Sequence, residues 1–295
     1  MSEFKNCSLL VDTSHLAYRS FFALQNLPSE VVKTNLVFGV VNSLLSLVKK
    51  FNPQQLILAW DKGYKAKTAL YAGYKRKTDI MSEEQRVEFR EQFDALEDFL
   101  NCLGIKCCYQ IGVEADDVIA FLCKELSVDR VDNTKESILT PIVIVSSDHD
   151  LHPLLQDNVA MWKPHKEELY TVDSFRNEFG LEPHQYTEVQ ALMGCSGDKV
   201  PGVRGIGPKF ALELIKKYGN VQAIKDSTDT SRVIDLVKDN WPDVELAYKL
   251  VAFEDIKPTL YITTPNFGKV RKKLYMWELD NFIENWGEVE ALSRL

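Results

Sequence analysis

Residues 141–148 read Pro-Ile-Val-Ile-Val-Ser-Ser-Asp, an apolar run that ends in a polar turn and an aspartate. Ser8–Val11 is an earlier run of the same form and is followed by Asp12. Leu56–Trp60 is another, and Asp61 follows it. Short apolar runs of this kind predict strands that are buried on both faces of a sheet. The sequence therefore predicts buried strands with an aspartate at each carboxyl end.

Helical patterns alternate with these strands. Apolar residues recur at helical spacing over Thr34–Phe51, and a capping-box sequence opens a helix predicted over Ser82–Leu100. A further helix is predicted over Glu114–Leu126, after a strand at Ile105–Gln110. This alternation predicts an α/β fold with a mainly parallel sheet flanked by helices. From about residue 180 it stops, and Glu182–Leu295 is predicted as helices joined by turns.

The composition is that of a globular protein and excludes several classes. The 295 residues carry 35 basic and 43 acidic side chains, a net charge of −8, and 45% are hydrophobic. This balance is not typical of a disordered chain or of a protein that only coats DNA. The six cysteines form no Cys-x-x-Cys pair, which argues against a zinc site and favours reduced thiols. No signal peptide or membrane span is predicted, so we expect a soluble, cytoplasmic protein without a membrane partner.

Acidic side chains gather where the predicted strands end. Ligands of parallel sheets bind at this edge, where the carboxyl ends of neighbouring strands meet. A single acid there is equally well explained as a turn residue or as part of a helix N-terminus. Several carboxylates together repel each other unless a cation lies among them, and carboxylate oxygens suit Mg²⁺ or Mn²⁺. The predicted cluster comprises Asp12, Asp61, Glu114, Asp116, Asp117, Asp148 and Asp150.

A basic segment begins directly after Asp61. Its sixteen residues, 62–77, contain no acid and interleave the basic side chains with tyrosines. Such a segment can hold phosphates and stack bases, although a solvated loop has the same composition. The basic residues are Lys62, Lys65, Lys67, Lys75, Arg76 and Lys77, and the tyrosines are Tyr64, Tyr71 and Tyr74.

A glycine-rich stretch over residues 200–209 reads Val-Pro-Gly-Val-Arg-Gly-Ile-Gly-Pro-Lys. It predicts turns that lead into a helix with Pro208 in the first position. Backbone N–H groups at such a helix start can bind a phosphate, with Lys209 alongside. A plain turn between two helices is the alternative interpretation.

In these motifs the chain resembles the flap endonuclease and 5′-nuclease family, which includes bacteriophage 5′-exonucleases and the 5′-nuclease domain of bacterial DNA polymerase I. The shared motifs, in order between residues 8 and 220, are Leu10-Val11-Asp12, Trp60-Asp61, Tyr74-Lys75 and the runs 112–117, 146–151 and 201–209. The resemblance implies a PIN-like twisted sheet over residues 1–180. It also implies a helical DNA-binding module with a helix–turn–helix hairpin over residues 181–295, and an arch or clamp over residues 62–90.

The resemblance further implies a metal-dependent reaction centre. Asp198 would join the seven acids as a metal ligand, giving a site for two Mg²⁺ ions, for which Mn²⁺ can substitute. Two such ions can activate water and stabilise the leaving oxygen in a displacement at phosphorus. Lys75 would contact the scissile phosphate. The residues implied in catalysis are Lys75, Asp61, Asp116 and Asp148.

The implied substrate is DNA with 5′ ends, flaps or nicks, or an RNA–DNA hybrid, cut to leave a 5′-phosphate and a 3′-hydroxyl. Tyr74 would stack on a base, and Arg19 would contact the substrate after the first strand. The carbonyl groups of Val203 and Ile206 would bind K⁺. Replication proteins would be compatible partners. The implied nucleic-acid contacts are Arg19, Lys62, Tyr74, Lys75, Arg76, Lys77, Arg204, Gly205, Gly207 and Lys209.

Two positions depart from the family pattern. Cys195 stands where the family has an aspartate ligand, and Thr78 stands where the arch has a second basic residue. A neutral thiol is a poor Mg²⁺ ligand, so we expect the second ion to bind weakly or to be Mn²⁺. Arg76 or Lys77 would replace the missing basic residue.

These observations support two main hypotheses. The first is an active, structure-selective 5′-nuclease that hydrolyses phosphodiester bonds of DNA, or of primer RNA, by two-metal-ion catalysis. The alternative is a catalytically weak or inactive protein that binds branched DNA, and Cys195 is the reason for it. A small-molecule phosphatase built on Asp148 and Asp150 would leave the basic segment and the glycine-rich stretch without a role.

Overall fold

A computed structural model describes residues 4–24, 33–76, 81–127, 130–131 and 137–295. The strands are β1 (Ser8–Asp12), β2 (Gln55–Ala59), β3 (Lys106–Tyr109), β4 (Arg130–Val131), β5 (Ser137–Ile138), β6 (Ile142–Val145), β7 (Val159–Lys163), β8 (Glu168–Tyr170) and β9 (Thr259–Tyr261). The first helices are α1 (Thr13–Ala23), α2 (Asn35–Phe51), α3 (Lys65–Leu70), α4 (Glu83–Leu103) and α5 (Ala115–Leu126). The later helices are α6 (Val172–Phe179), α7 (Tyr186–Met193), α8 (Pro208–Tyr218), α9 (Val221–Asp226), α10 (Arg232–Asp239), α11 (Trp241–Val251), α12 (Phe267–Met276), α13 (Asp280–Glu284) and α14 (Trp286–Ala291).

The central sheet has seven strands in the order β8-β7-β6-β1-β2-β3-β9. The five strands from β7 to β3 pair in parallel. The edge strands β8 and β9 pair antiparallel with β7 and β3. The prediction of an α/β fold with a mainly parallel sheet is therefore confirmed. Among the described residues, no helix has the length and apolar character needed to span a bilayer.

Side chains of the central strands alternate between two hydrophobic cores. On β1, Leu9 and Val11 belong to one core and Leu10 belongs to the other. The first core is covered by α1, α2, α4 and α12 to α14, and the second by α5 to α11. Burial on both faces explains why these strands are uninterrupted apolar runs in the sequence.

The three predicted helices are confirmed as α2, α4 and α5. The capping box of α4 forms, since the Ser82 hydroxyl accepts from the Gln85 amide and the Gln85 side chain accepts from the Ser82 amide. The helix continues past the predicted Leu100 to Leu103. It ends at Gly104, whose φ of 79° is a left-handed conformation that glycine adopts without strain.

The C-terminal part of the chain differs from the prediction in two ways. β9 lies within the region that we predicted to be helical, and all its residues are exposed, so it lacks a buried apolar run that would reveal a strand. The helix α12 inserts Val270 and Leu274 into the first core, α13 inserts Phe282, and α14 inserts Val289. Residues 267–295 therefore pack with the part of the chain that we assigned to the first domain.

Candidate active site

Neighbouring strands bring four carboxylates to one edge of the sheet. The strands β6, β1 and β2 are adjacent and parallel, so their carboxyl ends lie side by side. Asp12 ends β1, Asp61 follows β2, and Asp148 follows β6. Asp116 comes from the first turn of α5, and the Ala115 amide of that turn donates to Asp61 Oδ1 at 2.8 Å. The structure thus brings four of the seven predicted acids, from four separate parts of the chain, close enough to interact electrostatically.

These four carboxylates repel each other. Burial raises the pKa of Asp12 to about 7, and the charges of Asp61 and Asp148 add to the effect. Burial also raises the pKa of Asp116 well above its ordinary value, together with the charges of Asp148, Asp12 and Asp61. A cation among these groups would relieve the repulsion. The donor set consists of hard carboxylate oxygens and fits Mg²⁺ or Mn²⁺.

Asp150, Cys195 and Asp198 form a second group. One oxygen or sulfur atom of each residue lies within 4.8 Å of those of the other two. Burial raises the pKa of Asp150 to about 7, with the charges of Asp148 and Asp198 adding to it. Burial raises the pKa of the Cys195 thiol to about 11, so this donor is neutral at pH 7 in the absence of a metal. The second group therefore offers a metal two hard donors and one soft donor.

Glu114 is bound by three side chains of the basic segment. Its Oε2 atom lies 2.7 Å from Lys67 Nζ and accepts from the Tyr74 hydroxyl at 2.8 Å. Its Oε1 atom lies 2.5 Å from Lys75 Nζ. Burial raises the pKa of Glu114, but the ammonium groups of Lys75 and Lys67 outweigh it and hold the pKa below its ordinary value. Glu114, which we predicted as a metal ligand, is thus neutralised by the protein's own cations.

Asp117 is separated from the edge cluster. It is fully buried, its Oδ1 atom accepts from the Glu254 amide at 2.8 Å, and its Oδ2 atom lies 3.3 Å from Lys67 Nζ. Successive residues of a helix point roughly 100° apart, so Asp116 and Asp117 face different neighbours. In this structure the Asp117 carboxylate ties α5 to the segment after α11, and a metal-binding role for Asp117 stays a prediction.

Several side chains of the basic segment contact other residues of the protein. Tyr74 is 3% exposed and packs with Ala247 and Leu250 of α11, so its ring would have to leave α11 before it could stack on a base. Lys62, which we predicted to contact DNA, donates to both carboxylate oxygens of Glu97 at 2.8 Å. Its charge is therefore paired within the protein. Apolar packing and nearby carboxylates thus hold these side chains against the protein. Arg76 is exposed.

Two residues of this prediction, Lys77 and Thr78, lie outside the described part of the chain.

The remaining predicted contacts with nucleic acid lie on the surface. Arg19 is exposed on α1 and donates to the carbonyl of Pro164 at 3.3 Å. Gly207 precedes α8, and Pro208 occupies the first turn as predicted. The side chains of Val203 and Ile206 are buried, and the Ile206 amide donates to the Val203 carbonyl at 2.9 Å. The predicted contacts Arg204, Gly205, Gly207 and Lys209 are all exposed. Binding of K⁺ to its carbonyls stays a prediction.

Three residues that position the acids were absent from the predicted site. Ser146 donates to Asp12 Oδ2 at 3.0 Å and accepts from the Asp148 amide, so it connects two of the acids. Gln190 on α7 donates to Asp150 Oδ1 at 2.5 Å. Lys67 binds Glu114 and Asp117. Ser146 was visible as a polar residue directly after the strand, whereas nothing local in the sequence marks Gln190.

Comparison with known proteins gives consistent matches over most of the chain. The family model described as the 5′-3′ exonuclease N-terminal resolvase-like domain matches residues 7–180. The model described as the 5′-3′ exonuclease C-terminal SAM fold matches residues 181–264. A 5′-3′ exonuclease from Aquifex aeolicus (strain VF5) is 33% identical over 294 residues, which cover 97% of this chain and 96% of that protein.

More distant similarities extend this result. The thermostable DNA polymerase I of Thermus thermophilus is 31% identical over 247 residues, which cover 82% of this chain but only 28% of the polymerase. A structure of T5 5′-exonuclease with bound zinc aligns with a TM-score of 0.69 at 24% identity, covering 82% of this chain and 88% of that one. The catalytic core of Rad2 in complex with DNA aligns with a TM-score of 0.58 at 17% identity, covering 92% and 86%.

Proposed function

We propose, since this chain belongs to the 5′-3′ exonuclease family, that it is a divalent-metal-dependent 5′-nuclease that cuts DNA at 5′ ends, flaps or nicks. The observation that carries the proposal is the meeting of Asp12, Asp61, Asp116 and Asp148 at one edge of the sheet. The charge of Lys75 acts on Asp116, so a cationic side chain lies beside the carboxylates. An acidic centre beside a lysine suits the hydrolysis of a phosphodiester.

Two groups of ligands are proposed for two ions. Mg²⁺ is the proposed metal, because carboxylate oxygens dominate both groups. When bound, such ions supply activation of water and neutralisation of the leaving oxygen in an in-line displacement at phosphorus. Asp12, Asp61, Asp116 and Asp148 would hold the first ion, and Asp150, Asp198 and Cys195 would hold the second.

The protein's own residues prepare this centre. Asp12 is fixed by the His15 amide on one oxygen and by the Ser146 hydroxyl on the other. Burial lowers the pKa of Lys75, but Glu114 and Asp198 outweigh it and raise the pKa above its ordinary value, so the ammonium group persists over the working pH range. Its side chain is 30% exposed and can turn from Glu114 towards a phosphate oxygen. There it would stabilise the negative charge of the transition state.

DNA binding is assigned to four exposed cationic side chains. Arg19 lies on α1, which begins directly after Asp12, and Arg76 directly follows Lys75. Arg204 precedes α8, and Lys209 lies in its first turn. These groups can bind the sugar–phosphate backbone, which positions a duplex without reading its sequence. Residues 181–264 would thus serve as the DNA-binding region, and the carbonyls of Val203 and Ile206 would hold K⁺ there. RNA–DNA hybrids are a second proposed substrate.

A second candidate function rests on Cys195. Its neutral thiol lies among the donors of the second group, where it weakens the site for Mg²⁺. A protein that loses the second ion would bind branched DNA and cut it slowly. Turnover in Mg²⁺ distinguishes the two candidates.

The test is incubation with labelled 5′-flap, nicked, single-stranded and RNA–DNA substrates, in Mg²⁺ and separately in Mn²⁺. We expect flap cleavage by the wild type and loss of cleavage in Asp148→Ala, with flap binding in Ca²⁺ retained. Asp157→Ala removes an exposed aspartate outside the cluster and should cleave like the wild type. Full cleavage by Asp148→Ala would refute the proposed site, and binding without cleavage by the wild type would favour the second candidate.

A further inference from the structure

Lys67 is a buried lysine beside the acidic cluster. Its side chain is 7% exposed, and its Nζ atom lies 2.7 Å from Glu114 Oε2 and 3.3 Å from Asp117 Oδ2. A lysine is rarely buried unless its charge is paired, and here two carboxylates pair with it. Burial lowers the pKa of Lys67, but Glu114 and Asp117 outweigh it and raise the pKa to about 12, so the residue remains a cation. Lys67 is therefore a fixed positive charge within the protein.

Lys67 and Lys75 share Glu114 but differ in access to solvent. The Lys75 side chain is 30% exposed, and its Nζ atom also lies 3.6 Å from Asp198 Oδ1. The Lys67 side chain, on α3, is only 7% exposed and lies against Glu114, Asp117 and Tyr74, whose ring centroid lies 5.8 Å from its Nζ atom. A phosphate can therefore attract Lys75 away from Glu114 but cannot reach Lys67. When Lys75 moves, Lys67 and the Tyr74 hydroxyl remain on Glu114.

The position of Glu114 matters because it directly precedes the first turn of α5. The Ala115 amide donates to Asp61, and Asp116 belongs to the edge cluster, so a displacement of Glu114 shifts two acids relative to each other. A cation at a helix start is disfavoured by the helix dipole. Lys67 therefore lies there because of the carboxylates. A hydrogen bond from the Lys65 amide to the Gly112 carbonyl, at 2.8 Å, also ties α3 to the loop that precedes α5.

We infer that Lys67 is a positioning residue, which holds Glu114 and the first turn of α5 in place while the substrate phosphate engages Lys75. This inference rests on the proposed nuclease function. It assigns two tasks to two lysines of one segment: Lys75 acts on the substrate, and Lys67 keeps the acids aligned during that contact.

The test compares Lys67→Met, Lys67→Arg and the double variant Lys67→Met/Asp117→Asn in cleavage of 5′-flap DNA. Lys67→Met keeps the length of the side chain without its charge, and we expect kcat to fall about 100-fold, as for a small misplacement of catalytic groups. We expect KM to change by less than about 3-fold, because Lys67 does not touch the substrate. Lys67→Arg keeps the charge and should retain kcat within about 10-fold of the wild type, allowing for its different shape.

The double variant distinguishes the positioning of Glu114 by Lys67 from simple neutralisation of the buried Asp117 carboxylate. Asp117→Asn removes the second buried carboxylate that Lys67 neutralises, so we expect the double variant to melt within about 3 °C of the wild type. If Lys67 positions Glu114, kcat of the double variant stays low despite the recovered stability. Recovery of both stability and kcat would overturn the inference, as would a wild-type kcat in Lys67→Met. If Lys67→Met does not fold, the double variant alone decides.

Two controls identify other causes of failure. Lys124→Met removes an exposed lysine from the far end of α5 and should leave kcat and melting temperature unchanged. Cleavage by the wild type tests the nuclease proposal independently of Lys67. An inactive wild type would therefore count against the proposed function, whereas an active wild type with an equally active Lys67→Met would count against the positioning role only.

Discussion

The thiol of Cys195 and the carboxylate of Asp150 share one group of candidate metal ligands, with their donor atoms within 4.8 Å of each other. The Asp198 carboxylate completes this group. Hard cations prefer carboxylate oxygens to sulfur, so we expect the thiol to set the metal preference of this group. The metal dependence of the reaction should reveal this preference.

Cys195→Asp should convert the second group to carboxylates alone. We expect the Mg²⁺ concentration for half-maximal flap cleavage to fall about 10-fold, which corresponds to about 1.4 kcal/mol of metal binding. Cys195→Ser, which keeps a small neutral side chain, should show no such gain. The wild type should respond to Mn²⁺ more than Cys195→Asp does. Identical Mg²⁺ curves for all three proteins would show that Cys195 does not contact the metal.

Asp116→Asn should stabilise the metal-free protein although it abolishes cleavage. Burial and neighbouring charges raise the pKa of Asp116 in the folded state. At pH values above the pKa of the unfolded state, the charged carboxylate therefore destabilises the folded protein, and this cost disappears as pH falls. In EDTA at pH 8 we expect the melting temperature to rise by about 2–6 °C relative to the wild type. At pH 4 the difference should vanish. A lower melting temperature at pH 8 would mean that the carboxylates are not in conflict.

The sequence predicted the edge cluster because the rule behind it is local. An apolar run marks a buried strand, and the next acid lies at its carboxyl end, as for Asp12 and Asp148. The order of the strands is a separate matter, because parallel pairing alone allows several orders. The structure supplies the order that brings β6, β1 and β2 together.

The sequence could not reveal contacts that depend on distant partners. Asp117 faces Lys67 and Glu254, and nothing near Asp117 in the sequence distinguishes it from Asp116. Tyr74 looked like an exposed aromatic residue in a basic segment, but α11 covers its ring. The carboxylates that pair with Lys67 lie 47 or more positions away in the sequence. The residues of α11 that cover the Tyr74 ring lie still farther from Tyr74. Periodicity and composition cannot identify partners at such distances.

His152 should make the protein sensitive to acid. It is 1% exposed and packs between the rings of His149 and Tyr170. Burial lowers its pKa from 6.5 to about 3, with the charges of His149 and Lys163 adding to the effect. A histidine with a depressed folded-state pKa contributes stability that is present above 6.5 and is lost as pH falls towards 3.

His152→Phe keeps an aromatic ring in the stack and removes this titration. We expect the free energy of unfolding of the wild type to fall by about 2–3 kcal/mol relative to the variant between pH 7 and pH 4. Urea denaturation of both proteins in EDTA measures the difference and cancels the titration of the acidic cluster, which both proteins share. A difference that is independent of pH would contradict the prediction.

Tyr74→Phe and Tyr74→Ala together should separate a buried structural role from base stacking. The Tyr74 hydroxyl donates to Glu114 Oε2 at 2.8 Å, and the ring packs on α11. Removing the hydroxyl leaves the ring in place but withdraws one donor from a buried carboxylate, so we expect a loss of about 1–3 kcal/mol in the free energy of unfolding. The affinity for flap DNA in Ca²⁺ should stay within about 2-fold of the wild type, because the 3% exposed ring does not reach the bases.

Tyr74→Ala removes the ring as well and should lower the free energy of unfolding by about 3–5 kcal/mol, in line with other buried aromatic truncations. The contrary result is a folded Tyr74→Ala protein that binds flap DNA much more weakly, while Lys124→Met binds normally. The ring would then have to leave α11 and stack on the substrate. The buried position would describe the DNA-free protein alone.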